Sequence, residues 1–151
     1  MLTIGAMTIE SPLKFFSDNF NPTLKEIKIK SVDSNFEREP LIRPFGFKGG
    51  YMSEIWQTIS YLKCTSGHHQ IGLCSQNVLW SDAKVFSSNS EAAGNSLMYA
   101  ITEYALKIIE GQSFKNPIDF LDEILPKVYN YAKRITDNPN LRKTFALNAL
   151  V

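Results

Sequence analysis

The chain has 151 residues, a formal net charge of +1, and 44% hydrophobic against 21% charged residues. This ordinary apolar share with almost no net charge excludes intrinsic disorder and argues against nucleic acid as the main partner, which would call for a basic excess. No run of about 18 apolar residues occurs, so no transmembrane helix is expected, and the length fits one domain but not a (β/α)₈ barrel of roughly 200 residues or more.

Residues 1–22 carry Pro12, Pro22, Asn19 and Asn21 around Phe15, Phe16 and Phe20. They read as an irregular N-terminal arm, with a folded domain over 23–151. Met1 to Ser11 has no basic start, and Glu10 interrupts its apolar residues, so a signal peptide is not expected and a cytoplasmic location is. Leu24 to Val32 begins a strand, because Ile27 and Ile29 alternate with Lys28 and Lys30. Asp33 to Gly50 then breaks the period with Pro40, Pro44, Gly46, Gly49 and Gly50, and is expected to be a long functional or mobile loop.

Glu54 to Cys64 reads as a second, central strand, with bulk on both faces. Thr65-Ser66-Gly67-His68 is a tight turn in which Gly67 can take positive φ, and His69 to Ser75 returns as the third strand. This hairpin is expected to pair Cys64 with His69 and Cys74 with Ile59, too far apart for a disulfide. Both thiols then read as small buried or half-buried side chains. A second irregular stretch is expected from Gln76 to Ser87.

The remainder is helical. Ser88-Asn89-Ser90-Glu91 fits a capping box, and Ala93, Leu97, Ala100, Ile101, Tyr104 and Ile108 form one apolar stripe behind it. Gly111 closes this helix at the left-handed position. Asn116-Pro117 starts a second helix, which Pro126 should kink or split. Asn138-Pro139 signals a third, holding Leu141 and Phe145. Phe145 to Val151 is mostly apolar and has no terminator, so the chain reads as cut or as relying on a partner surface. Strands first and helices after give an α+β fold, a three-stranded antiparallel meander followed by a three-helix bundle.

That order, with its two loops, resembles the N-terminal capping domain of the enolase superfamily, and within it the mandelate racemase and muconate lactonizing enzyme group. Ser66-Gly67 followed by Gly72-Leu73-Cys74-Ser75 is similar to that group's hairpin, which ends in Gly-x-Gly-Glu. Ile109-Glu110-Gly111-Gln112 before Asn116-Pro117 resembles the stretch after the long helix. Asn138-Pro139 and Phe145 to Val151 resemble the helix that leads into the barrel. Cys74 and Ser75 stand where the group has the second Gly and the Glu, which implies a divergent branch. The resemblance covers residues 24–151. It implies that chemistry belongs to a (β/α)₈ barrel absent from this chain, in which Lys or His bases abstract a proton next to a carboxylate. Mg²⁺ would be held there by Asp and Glu. No catalytic or metal-ligating residue is then expected here, and the partners are that barrel and its small carboxylate substrate.

The resemblance also implies two substrate-selecting loops, Asp33 to Met52 and about Ser75 to Ser87. Phe45, Phe47 and Lys48 can form an apolar lid with one cation, or the aromatics can pack on their own domain. Arg43 can pair a substrate carboxylate bidentately, or make a surface ion pair. Gln76, Trp80 and Ser81 are candidates in the second loop, where Trp80 offers an apolar plate and one donor, unless it is buried against the helices. Asp82 lacks partners for a metal. His68 and His69 are adjacent and point apart, so they cannot chelate one ion together. Glu103 and Lys107 read as an exposed i, i+4 pair.

Two other functions remain open at this level: a free-standing α+β ligand- or protein-binding module, and a small enzyme. The second is ranked last because no nucleophile–base or metal-ligand constellation is present. A homo-oligomer is compatible with all three readings.

Overall fold

The computed structural model describes residues 25–47 and 49–150. The N-terminal arm expected over 1–22, the lid candidate Lys48, and Val151 lie outside the described residues. The elements are β1 (Ile27–Phe47), β2 (Gly50–Cys64), β3 (His69–Gln76), α1 (Val78–Ser81), α2 (Ala83–Ser88), α3 (Glu91–Ile109), β4 (Ser113–Phe114), α4 (Pro117–Ile135) and α5 (Lys143–Asn148). The class is α+β, as expected. The meander gains a fourth strand and the bundle two short helices, and the sheet order is β3-β2-β1-β4.

The largest departure from expectation is the region 33–50. It is no irregular loop: β1 continues to Phe47 and pairs antiparallel with β2 to the hairpin end, where Phe47 lies opposite Gly50. Pro40 and Pro44 are tolerated because a proline removes only one donor, and this end of β1 has no strand on its far side among the described residues. The ladder is broken once here. Pro40 pairs with Glu54 and Phe45 with Met52, so 41–44 bulge out against Ser53 alone. The β2–β3 register also sits one residue from the expected one, with Lys63 opposite His69 and Thr58 opposite Cys74. Both cysteines are free and half-buried. Gly67 takes φ +91° in the turn.

Gln76 to Ser87, expected to be irregular, holds α1 and α2. Each has its own side-chain cap: Asn77 Oδ1 accepts from Leu79 N at 2.9 Å and Asp82 Oδ1 from Lys84 N at 2.9 Å. These helices are too short to show periodicity, and their caps are the only local signal. Ser90, not Ser88, caps α3 by accepting from Ala93 N at 3.2 Å. The carboxylate of Glu91 turns instead to β2. It accepts from Ser53 N at 2.9 and 3.0 Å, from Ser53 Oγ at 2.6 Å and from Glu54 N at 3.2 Å. It thus satisfies the amide that the bulge leaves without a cross-strand partner.

The buried face of α3 is rotated from the expected stripe. Gly94, Asn95, Met98, Ile101, Thr102, Ala105, Leu106 and Ile109 are buried, whereas Ala93 is exposed and Ala100 half-buried. The expected stripe follows apolar residues alone. The polar Asn95 and Thr102 lie on the true inner face because they meet backbone and polar groups there, and the small Gly94 because the Val78 side chain leaves no room for more. Asn95 Oδ1 accepts from Val78 N at 3.0 Å, and a Cβ on Gly94 would stand 2.8 Å from Val78 Cγ1. Gly111 follows the helix with φ +80°, and its N–H donates to Ile29 O at 3.1 Å, tying the helix end to β1.

Asn116 caps α4, accepting from Ile118 N at 2.9 Å, with Pro117 in the first turn. Pro126 does not split this helix, which runs unbroken over 19 residues. Its ring is on the exposed face, so water can satisfy the carbonyl one turn earlier, on exposed Asp122. Asn138-Pro139 makes a turn rather than a helix start, with Asn138 Oδ1 accepting from Asn140 N at 3.1 Å. The third helix begins only at Lys143, after Arg142 N has donated to Asp82 Oδ2 at 3.2 Å. Glu103 and Lys107 form no ion pair. The single ion pair among the described residues is Arg38–Glu54 at 2.7 Å, across β1 and β2.

Two apolar clusters hold the layers together. Ile29 of β1 meets Leu106, Ile109 and Ile124, joining sheet to helices. Met98, Ile101, Val128, Leu141, Phe145 and Ala149 form the second cluster within the helical layer, so the apolar C-terminal run is packed into the core.

Candidate functional site

The hairpin end and the α1 segment meet at one end of the sheet. Phe47 and Trp80 stand edge to face with centroids 6.4 Å apart, and Phe45 stacks beside Phe47 at 6.4 Å. Gly50 allows this approach: a Cβ there would lie 2.7 Å from Phe86 Cε1 and 3.2 Å from Leu79 Cδ1. The tip of the hairpin therefore rests on α1 and α2, and only a residue without a side chain fits at that contact.

Beside these rings is an open concavity of about 640 Å³, lined by Pro40, Leu41, Ile42, Arg43, Phe45, Met52, Ile55 and Trp80. Its wall is apolar, and Ile42, Phe45 and Trp80 are exposed. Met52 is buried below them at 3%. From Pro40 to Ser53 the sequence contains no carboxylate. Arg43 is exposed and has no acidic partner among the described residues. A contiguous exposed apolar surface with one unneutralised cation is the chemistry that receives an amphiphilic anion.

Four of the sequence candidates, Arg43, Phe45, Phe47 and Trp80, thus share one surface. Gln76 and Ser81 do not join it. They lie on the other side of Trp80, in a smaller depression of about 230 Å³ with Cys74, Asn77 and Asn148. Both are 2% exposed and engaged in the fold. Gln76 Nε2 donates to Thr102 Oγ1 at 2.7 Å, and that hydroxyl donates to Ala149 O at 2.7 Å. Ser81 Oγ donates to Asn77 O at 3.3 Å and accepts from Asn148 Nδ2 at 2.8 Å. Gln76 Oε1 is buried without a partner.

Sequence reasoning missed Leu41, Ile42, Met52 and Ile55 as parts of the wall. The available signal was the unbroken absence of acids between the two prolines and beyond, in a segment rich in apolar side chains.

Behind the wall, Arg38, Glu54 and Trp56 form one polar unit. Arg38 Nε and the terminal nitrogen donate to Glu54 Oε2 at 3.0 and 2.7 Å, and Trp56 Nε1 donates to Oε1 at 2.9 Å. Burial pushes the Glu54 carboxyl up, but the hydrogen bonds from Arg38 and Trp56 and the guanidinium charge outweigh it and hold the group below its ordinary value. Phe36 stacks on Trp56 at 4.4 Å, beside the strand pair where the wall begins. Burial raises the Cys74 thiol, with an opposing contribution from Thr58, which disfavours a reactive thiolate.

No three His, Cys, Asp or Glu side chains come together for a metal among the described residues. Asp82 is committed to the caps of α2 and α5, and Glu91 to β2. His68 and His69 are exposed on the hairpin, with the His69 ring 5.8 Å from Tyr61. A further cavity of about 270 Å³ lies between sheet and helices, lined by Leu62, Gly72, Leu106, Ile109, Ile124 and Leu150, among others, and by none of the candidate residues.

No protein-family model and no curated protein matches the sequence. Among solved structures, the chain is similar to a dipeptide epimerase from Enterococcus faecalis V583, with 17% identity over 72% of this chain and 25% of that one, at a TM-score of 0.42. It is similar to an L-talarate/galactarate dehydratase from Salmonella typhimurium LT2, with 14% identity over 88% of this chain and 27% of that one, at 0.41. An L-talarate dehydratase from Polaromonas sp. JS666 matches at 16% identity over 74% of this chain and 26% of that one, at 0.45. The chain spans about a quarter of the length of each.

Proposed function

We propose that this chain is the substrate-selecting capping domain of a Mg²⁺-dependent, cytoplasmic enzyme of the mandelate racemase and muconate lactonizing kind. Such an enzyme abstracts a proton next to a carboxylate, using bases on a (β/α)₈ barrel that is the partner of this domain. One observation carries the reading: parts of the two segments expected to face a barrel mouth, Asp33 to Met52 and about Ser75 to Ser87, meet in one surface at Phe45, Phe47 and Trp80. The strand-then-helix order and the hairpin motif of the sequence add to it.

The role of these residues is binding and exclusion of water. The Phe45, Phe47 and Trp80 rings cover a small substrate and lower the local dielectric, which strengthens an Arg43–carboxylate contact. Among the described residues no three His, Cys, Asp or Glu side chains come together; Asp82 and Glu91 accept backbone donors and Glu54 is paired with Arg38. Metal binding and proton abstraction are assigned to the barrel, and no chemical step is assigned here.

The test is the reading frame that follows Val151 and the enzyme it encodes. Alternating β/α units there, with Arg43→Ala and Trp80→Ala raising KM about tenfold or more at little cost in kcat, are the expected result. Absence of such units would end the proposal. A second reading, a free-standing binding module using the same surface, is favoured by the burial of Phe145, Ala146 and Ala149 in the core. It predicts that the 151-residue chain binds its ligand unaided, with the Trp80 fluorescence reporting saturation.

A further inference from the structure

The two borders of the sheet are built differently. On the β4 side, the last strand is two residues long. Next to it, β1 carries Lys28, Lys30, Asp33, Glu37, Arg38 and Glu39 and then Pro40 and Pro44. Charges, prolines and a short outer strand are the devices that stop one sheet from pairing with another. The β3 border has none of them. Its sequence, His-Gln-Ile-Gly-Leu-Cys-Ser-Gln, contains no Asp, Glu, Lys, Arg or Pro over eight residues. Ile71 is 60% and Leu73 76% exposed.

The register places Leu73 opposite Ile59, and Ile71 opposite Tyr61, on the face turned away from the helices. Ile59 is itself 40% exposed. An apolar patch therefore reaches the edge of the strand, where backbone donors and acceptors have no partner strand among the described residues.

We propose that β3 is a self-association edge, at which a second copy of this chain pairs antiparallel about a two-fold axis through Gly72. The occupant follows from symmetry and charge. In such a pairing residues at and beside the axis approach their own copies, so a charge there would be repelled by its like. This strand carries none of the four charged residue types. The axis at Gly72 puts Ile71 across from Leu73 of the partner copy, twice, on one face. The Ile59–Leu73 and Tyr61–Ile71 pairs of both copies then join into one apolar band across an eight-stranded sheet. Gly72 has nothing within 4 Å of its Cβ position and crowds nothing at the axis. This pairing does not depend on the capping-domain reading.

One eight-residue strand buries less than the roughly 1,200 Å² of a stable interface, so the dimer is expected to be concentration-dependent. Sedimentation of the 151-residue chain from about 10 µM to about 1 mM, a span suited to a small interface, tests it. The expected result is a mass rising from 17.1 kDa toward twice that value and no further. Amide exchange over 69–76 should slow with concentration while that of α4 does not. Leu73→Lys is expected to abolish both effects without changing Tm, whereas Ile118→Lys, at a 68% exposed position on α4, leaves them intact. A constant monomer mass with concentration-independent exchange would overturn the proposal. So would a Leu73→Lys chain that still dimerises, loss of association in Ile118→Lys, or growth beyond a dimer.

Discussion

Single side chains connect layers that the backbone leaves apart. Glu91 is the clearest case, because one carboxylate takes two amides and a hydroxyl from β2. Replacing it with Ala should cost about 1–2 kcal/mol, since hydrogen bonds to a charged acceptor are lost at a partly exposed position. Urea unfolding with an unchanged slope would measure this. Thr102 is the second case. Thr102→Val strands both Gln76 Nε2 and Ala149 O in the core, and should cost about 2–3 kcal/mol. Gln76→Leu should cost less, because it also removes Oε1, which has no partner. Glu54 sets a pH dependence. Its folded-state pKa is lowered, so the folded chain binds that proton more weakly than the unfolded one. The stabilisation is complete above the ordinary value of 4.5 and disappears as pH falls through the lower folded value. Denaturant midpoints should drop across that window, and Arg38→Met should flatten this part of the profile.

Among the elements, α3 and α1 touch through Gly94 and Val78. Gly94→Ala would gain helix propensity but force a methyl to 2.8 Å from Val78 Cγ1. A net loss of about 1–3 kcal/mol is expected from overpacking, readable as a lowered Tm. The same contact shows why part of the fold was legible and part was not. β2, the Gly67 turn, the Gly111 stop and the Asn116-Pro117 start are local signals, and each stands close to its expected place. The far half of β1 was hidden by Pro40, Pro44 and Gly46, which usually mark loops. Its alternation of Ser34, Phe36 and Arg38 with Asp33, Asn35 and Glu37 was nevertheless present. β4, α1 and α2 are too short to carry a period. At the site, Arg43, Phe45, Phe47 and Trp80 could be named from residue type, but their convergence depends on the hairpin length and on Gly50, which no spacing rule encodes. Ser81 sits next to Trp80 in sequence and Gln76 four residues before it, and both lie on its other side.

In the molecule as a whole, the sheet and helices are joined at Ile29 and the helices among themselves around Phe145. Because Phe145 and Ala146 are fully buried, amides in α5 are expected to exchange among the slowest in the chain. Rapid exchange over 143–148 would show that this packing is not maintained. The bulge at 41–44 has a different kind of consequence. A one-residue change in an ordinary ladder exchanges inside for outside all along the strand. Here Pro40–Glu54 holds the register on one side and Phe45–Met52 on the other, while Glu91 secures the residue between them. Insertions or deletions within 41–44 are therefore absorbed where they occur. The apolar wall can be redrawn by evolution or by an engineer, one loop length at a time, while everything below Pro40 keeps its place.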